Sequence, residues 1–267
     1  MPRTRIAPTP SGYLHTGNAV NFLLTRLLAM ADDGDVLLRI DDLDQERVRP
    51  EYVEDIFHQL ERLGIQWDRG SRNSDEHYAY WSQQFRLPLY HGLIAELRTA
   101  RALFACTCSR STMEHCECAL KGTGLDEPDV TWRLRIPNTC PVTFEDHSGP
   151  RTMDLAQLMH PPVIRQRNGR PAYQVASLAD DLHFGIDLIV RGEDLLPSTA
   201  CQVYIAHLLG HSAFCEARFI HHRLLLDAMG NKLSKSAGAE ALAHHRSEQP
   251  DVDALRKIAT SLLTELR

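Results

Sequence analysis

No stretch of the chain approaches the ~18 consecutive apolar residues that an α-helical membrane span needs, so no membrane association is expected. The N-terminus, Met1-Pro2-Arg3-Thr4-Arg5, is basic but has no apolar run behind it, so it does not read as a secretory leader. A cationic excess is also missing. The formal net charge is -6, which excludes whole-surface attraction to nucleic acid and confines any RNA contact to a local basic face. There is no internal repeat and no low-complexity tract. The seven cysteines are an odd number without a leader, which points away from a disulfide framework and toward a reducing cytosol. What remains is ordinary for a water-exposed globular chain: 43% hydrophobic and 24% charged residues over a length of 267. That length suits one large core, or a core with an insertion. The expectation is a cytoplasmic monomer.

The periodicity gives an order of elements. Thr4 to Pro8 reads as a short strand running into a turn-rich loop, Pro8-Thr9-Pro10-Ser11-Gly12. Val20, Leu23, Leu24, Leu27 and Leu28 recur at spacings of three and four, which predicts a helix from about Gly17 to Ala31. Val36 to Ile40 is an apolar run bounded by turn signals, the pattern of a buried parallel strand. Val53, Ile56, Phe57, Leu60 and Leu63 are again helical, with Gly64 as a stop. Strand, helix, strand, helix is the opening of an α/β nucleotide-binding sheet. From about Cys106 to Asp154 the pattern changes to a loop over Lys121 to Asp129 and short strands at Val130 to Ile136 and Val142 to Phe144. It then returns with a strand at Leu188 to Arg191, a helix at Thr199 to Leu209 and a strand at Arg218 to Leu226. Val252, Leu255, Ile258, Ala259, Leu262 and Leu263 make the tail amphipathic.

Two distant segments carry nucleotide chemistry. His15-Thr16-Gly17-Asn18 lies between a strand end and a helix start. A glycine there lets a nucleotide approach the backbone, the helix N-terminus offers N–H groups to phosphate, and the histidine can donate to a phosphate oxygen. By itself this tetrapeptide also fits a helix cap with a surface histidine. The second segment, Lys232-Leu233-Ser234-Lys235-Ser236, puts two lysines three residues apart. They can clamp a triphosphate and stabilise departing pyrophosphate, although a solvated basic loop has the same composition. A third cluster, Cys106-x-Cys108 with Cys116-x-Cys118, offers four thiolates within thirteen residues. Such a set suits a structural Zn²⁺, with His115 as an alternative ligand. Spacing through one residue is tighter than usual, and four free thiols on a turn is the other reading.

Together these segments resemble class I aminoacyl-tRNA synthetases: His15 to Asn18 matches the HIGH motif, and Lys232 to Ser236 matches KMSKS. Arg5 to His15, Arg39 to Asp44 and Ile189 to Leu196 are similar to signature segments of the glutamyl/glutaminyl group. The resemblance implies an α/β fold, a Rossmann-like catalytic domain with a parallel sheet over residues 1–100 and 160–267. A small inserted α+β element carrying the zinc site would span 101–159. It also implies a ligase whose ATP site, with Mg²⁺ accompanying the nucleotide, is formed by His15, Gly17, Asn18, Lys232, Ser234 and Lys235. Of these, His15, Lys232 and Lys235 would be catalytic. Positions matching Arg5, Ala7, Ser11, Asp41, Tyr173 and Arg191 bind the amino acid. Chemically, Arg5 and Arg191 can fork onto carboxylates, Asp41 can pair with an ammonium, and Tyr173 can donate its hydroxyl. Asp180 and Asp181 receive no role, since surface charge or capping explains them equally.

The substrate is expected to be L-glutamate. Glutamyl enzymes usually carry Glu where this chain has Asp41, and glutaminyl enzymes Asp. Arg191, however, matches the residue that reads the side-chain carboxylate in glutamyl enzymes. A buried Arg facing a neutral amide would lose its anion at a cost of about 3–5 kcal/mol, by analogy with a broken buried pair. About thirty residues follow Ser236, too few for the anticodon-binding region of a full glutamyl-tRNA synthetase. The chain resembles instead the short paralogous family of glutamyl-Q tRNA(Asp) synthetases. That resemblance implies tRNA-independent activation and transfer to queuosine of tRNA(Asp). Those paralogues hold zinc through an opening Cys-x-Cys, then a tyrosine and one cysteine, so this chain departs in the second half. Two other readings are a glutamate-activating paralogue with another acceptor (a carrier protein, a small molecule or another tRNA) and a degenerate, non-catalytic binding module.

Overall fold

The computed structural model describes residues 1–225 and 251–266, apart from the side chains of Arg110, Ser111 and His115. In chain order its strands are β1 (Arg3–Ile6), β2 (Asp35–Leu38), β3 (Leu103–Cys106), β4 (Thr131–Leu134), β5 (Pro141–Asp146), β6 (Gly149–Asp154), β7 (Val163–Arg165), β8 (Leu188–Gly192) and β9 (Arg218–His222). The described residues fall into two compact units. The first takes in those of Met1–Phe85, Ile186–Asp194 and Arg218–Arg267, and the second those of Arg86–Gly185 and Leu195–Ala217.

The first unit is built on parallel strands. β1 pairs with β2 in the register Arg3↔Asp35 to Ile6↔Leu38, and β8 pairs with β9 from Leu188↔Arg218 to Gly192↔His222. β8 lies beside β1, and the two are joined where the Asp187 N–H donates to the Arg3 carbonyl at 3.1 Å. The neighbour order is therefore β2, β1, β8, β9. The strands are apolar runs because they are covered on their faces. Ile6, Val36, Leu38, Leu188, Val190 and Ile220 are buried together with the inward stripes of three helices, Thr16–Ala31, Pro50–Arg62 and Val252–Glu265. The last helix buries Leu255, Ala259 and Leu262, the stripe expected for the tail, and packs on the 16–31 helix. Gly64 adopts φ +67° just past the 50–62 helix, where a side chain would be strained. β9 ends at His222, and the expected continuation to Leu226 passes outside the described residues.

The second unit is antiparallel and helical. β3, β4 and β7 form one three-stranded sheet, and β5 and β6 form a hairpin in the register Pro141↔Asp154 to Asp146↔Gly149. Three longer helices, Leu87–Thr99, Tyr173–Phe184 and Leu196–Leu209, accompany them. This unit contains residues 101–159, anticipated as the insertion, and also adjoining helices on either side. Within it the Arg86 guanidinium grips Asp180 through Nε at 2.7 Å and Nη2 at 3.1 Å, and the Tyr90 hydroxyl donates to the same carboxylate at 2.8 Å. Asp180 is fully buried, so its role is to tie two helices together.

Candidate active site and metal centre

Ligands of open parallel sheets bind beyond the carboxyl ends of the strands, and of the expected residues Arg5, Ala7, Ser11, His15, Gly17, Asn18, Asp41 and Arg191 belong to the first unit. His15 is the N-cap of the 16–31 helix. Its Nδ1 accepts from the Asn18 N–H at 3.4 Å, and the Asn18 side-chain oxygen accepts from the His15 N–H at 3.2 Å. A neutral ring that accepts at Nδ1 carries its proton on Nε2, so Nε2 is a donor. Capping thus sets the tautomer a phosphate ligand requires, and the cap and ligand readings of this histidine are compatible. The first turn contains no acidic residue to offset the positive end of the helix. A Cβ on Gly17 would lie 3.1 Å from Cε1 and 3.2 Å from Nδ1 of His15. A side chain there would push the His15 ring by a few tenths of an ångström, so glycine leaves the ring its present place.

Arg5, in β1, is 6% exposed, and its Nη1 donates to the Val190 carbonyl at 3.4 Å. Arg191, next in β8, is 3% exposed, with its guanidinium 5.9 Å from the centre of the Phe219 ring. Ala7 and Ser11 are half-buried in the segment after β1, where the Ser11 N–H donates to the Thr9 carbonyl at 2.9 Å. Asp41 follows β2 and is 9% exposed. The expected strand to Ile40 stops formally at Leu38. The backbone pairing nevertheless continues, with Arg39 N–H donating to Ile6 at 2.9 Å and Asp41 N–H to Pro8 at 2.8 Å. Tyr173 opens the 173–184 helix of the second unit and is 44% exposed. Lys232, Ser234 and Lys235 lie outside the described residues.

Three features were missed in the sequence. Arg39 is 3% exposed and forks onto Asp41, Nε to Oδ1 at 2.7 Å and Nη2 to Oδ2 at 3.0 Å. Residues two apart on an extended segment share a face, a rule that could have found this pair. Asp42, on the opposite face, is fully buried. It receives the Ser82 hydroxyl at 2.6 Å, the Gln83 N–H at 2.7 Å and His77 Nε2 at 3.2 Å. Burial works to raise its pKa, but hydrogen bonds from His77, Ser82 and Gln83 outweigh burial, and the carboxyl sits below its ordinary value. No local pattern announces partners 35 to 41 residues away. The third feature is the Arg86–Asp180–Tyr90 network of the second unit.

The cysteine cluster does assemble. Cys106, Cys108, Cys116 and Cys118 place their sulfurs within 4.8 Å of one another. Cys106 and Cys116 are 3.7 Å apart, and Cys108 and Cys118 are 3.6 Å apart. Four thiolates at ~2.3 Å from a tetrahedral Zn²⁺ have S–S edges of about 3.8 Å, so the set fits such an ion. β3 delivers Cys106 at its end, and a helical turn over Arg110–His115 brings the second pair back. A backbone hydrogen bond from Thr107 pulls the Cys118 thiol down to about 6, while burial pushes Cys116 up to about 12. The four cysteines can hold a metal such as zinc. The side chain of His115, the alternative ligand, is outside the described set.

Comparisons with known proteins agree with this arrangement. The family model for class I tRNA synthetases (E and Q), catalytic domain, matches residues 2–131 and 119–264. A glutamyl-Q tRNA(Asp) synthetase of Pseudomonas aeruginosa is 35% identical over 266 residues, covering 98% of this chain and 87% of the relative. One from Pseudomonas fluorescens is 38% identical over 259 residues, covering 95% and 83%. Among solved structures, a glutamate-tRNA synthetase from Elizabethkingia anophelis superposes with a TM-score of 0.71 at 24% identity, covering 88% of this chain and 52% of that one. A glutamate tRNA ligase from Elizabethkingia meningosepticum, in complex with its amino acid, gives 0.70 at 22%, covering 92% and 53%. The chain spans about half the length of these two structures, which speak for the fold alone. Among the described residues no helix is long and apolar enough to cross a membrane. By the reach of the family model and of these relatives, the chain belongs to the class I glutamyl/glutaminyl tRNA synthetases, ligases that activate an amino acid.

Proposed function

We propose that this chain joins L-glutamate to ATP, forming glutamyl-adenylate without tRNA, and passes the glutamyl group to queuosine of tRNA(Asp). One observation carries the substrate. Arg5 and Arg191, each less than a tenth exposed, stand at the ends of β1 and β8, and Asp41, gripped by Arg39, follows β2. Two guanidinium forks suit the two carboxylates of glutamate and Asp41 suits its ammonium, whereas glutamine has one carboxylate and would leave one fork facing a neutral amide.

The chemistry then follows from the groups in place. Arg191 and Arg5 hold carboxylates, and Asp41 receives the α-ammonium, with Ala7 and Ser11 beside them in the first unit; Tyr173 of the second unit keeps the amino-acid-binding role that the family resemblance gives it. The glutamate α-carboxylate attacks the α-phosphate of Mg²⁺-bound ATP, the bond to the β-phosphate breaks, and pyrophosphate leaves. No residue becomes a covalent nucleophile; the protein supplies position and charge. The N-terminus of the 16–31 helix, His15 Nε2, Gly17 and Asn18 receive phosphate, and Lys232, Ser234 and Lys235, outside the described residues, keep the phosphate-binding role expected of them from the sequence. A hydroxyl of queuosine next attacks the activated carbonyl, forming an ester and releasing AMP. Zinc on the four cysteines would keep that segment folded, with no open coordination position for chemistry. Support for the acceptor comes from the relatives named glutamyl-Q tRNA(Asp) synthetase.

Amino-acid-dependent ATP–pyrophosphate exchange without tRNA, run across the twenty amino acids, tests the first step. The expected result is a signal specific for glutamate; exchange with glutamine in its place would overturn the charge argument. Labelled glutamate offered to tRNA(Asp) with and without queuosine tests the second step, and only the modified tRNA should become labelled.

A further inference from the structure

Asp41 stands in the substrate site with a shorter side chain than glutamate at the same place would have. A short carboxylate reaches less far and has one rotor fewer with which to find its ligand. Its direction must therefore be set by the protein. Arg39 provides that setting. Its planar fork meets both carboxylate oxygens, Oδ1 at 2.7 Å and Oδ2 at 3.0 Å. The side chains are 2% and 10% exposed, so water does not loosen the pair. The backbone of each partner is also pinned to the segment leading out of β1, Arg39 to Ile6 at 2.9 Å and Asp41 to Pro8 at 2.8 Å. The arrangement couples a buried cation to a buried anion at the end of β2 through two parallel hydrogen bonds.

We propose that Arg39 is a positioning residue: it holds the Asp41 carboxylate in the orientation that receives the α-ammonium. It thereby sets how strongly the enzyme distinguishes an amino acid from the same acid without its amine. This rests on the amino-acid-activation reading above. Arg39 itself touches no substrate, and its effect is confined to the ammonium end.

Arg39→Lys keeps the charge and loses the two-pronged grip. Calorimetric titration with glutamate and with glutarate, which retains both carboxylates and lacks the ammonium, reads the effect directly. Wild-type protein should bind glutamate more tightly than glutarate. In Arg39→Lys that ratio should fall by about fivefold or more, with glutarate affinity and KM for ATP within about twofold of wild type. Arg39→Gln, which keeps a single donor nitrogen and loses the charge, is the second probe, and thermal melting is recorded for both variants. A preserved glutamate-to-glutarate ratio in either folded variant overturns the proposal. Equal weakening of glutamate, glutarate and ATP also overturns it, because that is the mark of general structural damage. If wild-type protein exchanges pyrophosphate with glutamine and not glutamate, the substrate reading fails, while this inference is tested with glutamine and its deaminated acid. Protein that activates no amino acid sinks both.

Discussion

At the scale of single residues, the capping role of His15 leaves its ring compatible with the phosphate-binding role proposed for it. As the helix cap it accepts the Asn18 N–H at Nδ1, and the proton this leaves on Nε2 is the one a phosphate oxygen needs. Gly17 protects this arrangement, because a Cβ would sit 3.1 Å from the ring, tighter than ordinary carbon contacts. Glycine to alanine inside a helix usually stabilises by about 0.4–1 kcal/mol through the unfolded chain. Gly17→Ala should therefore leave the melting temperature nearly unchanged while lowering pyrophosphate exchange by about tenfold or more, a loss of roughly 1.4 kcal/mol in transition-state stabilisation. Unchanged exchange in a folded Gly17→Ala protein would detach the ring's orientation from catalysis. Arg191 makes a complementary point: it is buried against the Phe219 face, a setting that suits guanidinium better than ammonium.

At the scale of elements, what could be read from sequence was what is local. The 16–31 and 252–265 helices announce themselves by apolar stripes of period 3.6, and those stripes are the ones buried. The Gly64 stop is real because its φ of +67° needs glycine. The β5–β6 hairpin was half seen: β5 alternates exposed and buried residues, whereas β6 offers Gly149-Pro150-Arg151-Thr152-Met153-Asp154, with no apolar alternation to find. Asp180 was unreadable for a different reason. Its value lies in Arg86 and Tyr90, residues 94 and 90 positions away, and no periodicity links them. The cysteine cluster was legible because metal ligands come close in sequence as well as in space. With Sγ pairs at 3.6 and 3.7 Å, purified protein should contain one zinc per chain. Cys108→Ser should lose most of it, since structural sites need all four ligands. Elemental analysis checks this, and full zinc occupancy in Cys108→Ser would remove Cys108 from the ligand set. Chelation should unfold the 106–118 segment and weaken transfer to RNA more than adenylate formation.

At the scale of the whole molecule, the question is which of its 35 acidic residues govern stability toward acid. Exposed pairs such as Arg98–Asp126 and Arg223–Glu265 lower the pKa of their carboxylates through hydrogen bonds. Both carboxylates face solvent, where such pairs contribute little and salt screens them. Asp42 is different because it has no water to fall back on. Its charged form is held by Ser82, Gln83 and His77 against the penalty of burial, and its pKa lies below the ordinary 3.8. A depressed carboxyl contributes stability that is fully present above the unfolded pKa and is lost as pH falls through the folded one. The loss therefore begins below about pH 4 and deepens toward pH 2, as the turn after β2 lets go of the 77–83 segment. Asp42→Asn keeps an acceptor oxygen but cannot lose a charge. At pH 7 it should be less stable than wild type by about 1–3 kcal/mol, the range for weakening a buried charged hydrogen-bond acceptor. The gap should narrow steadily when urea unfolding is repeated at pH 4, 3 and 2.5. A gap that stays constant across that series would mean that the Asp42 charge is not what fastens the strand end. The acid lability of the chain would then have to be sought in its other carboxylates, such as the fully buried Asp180.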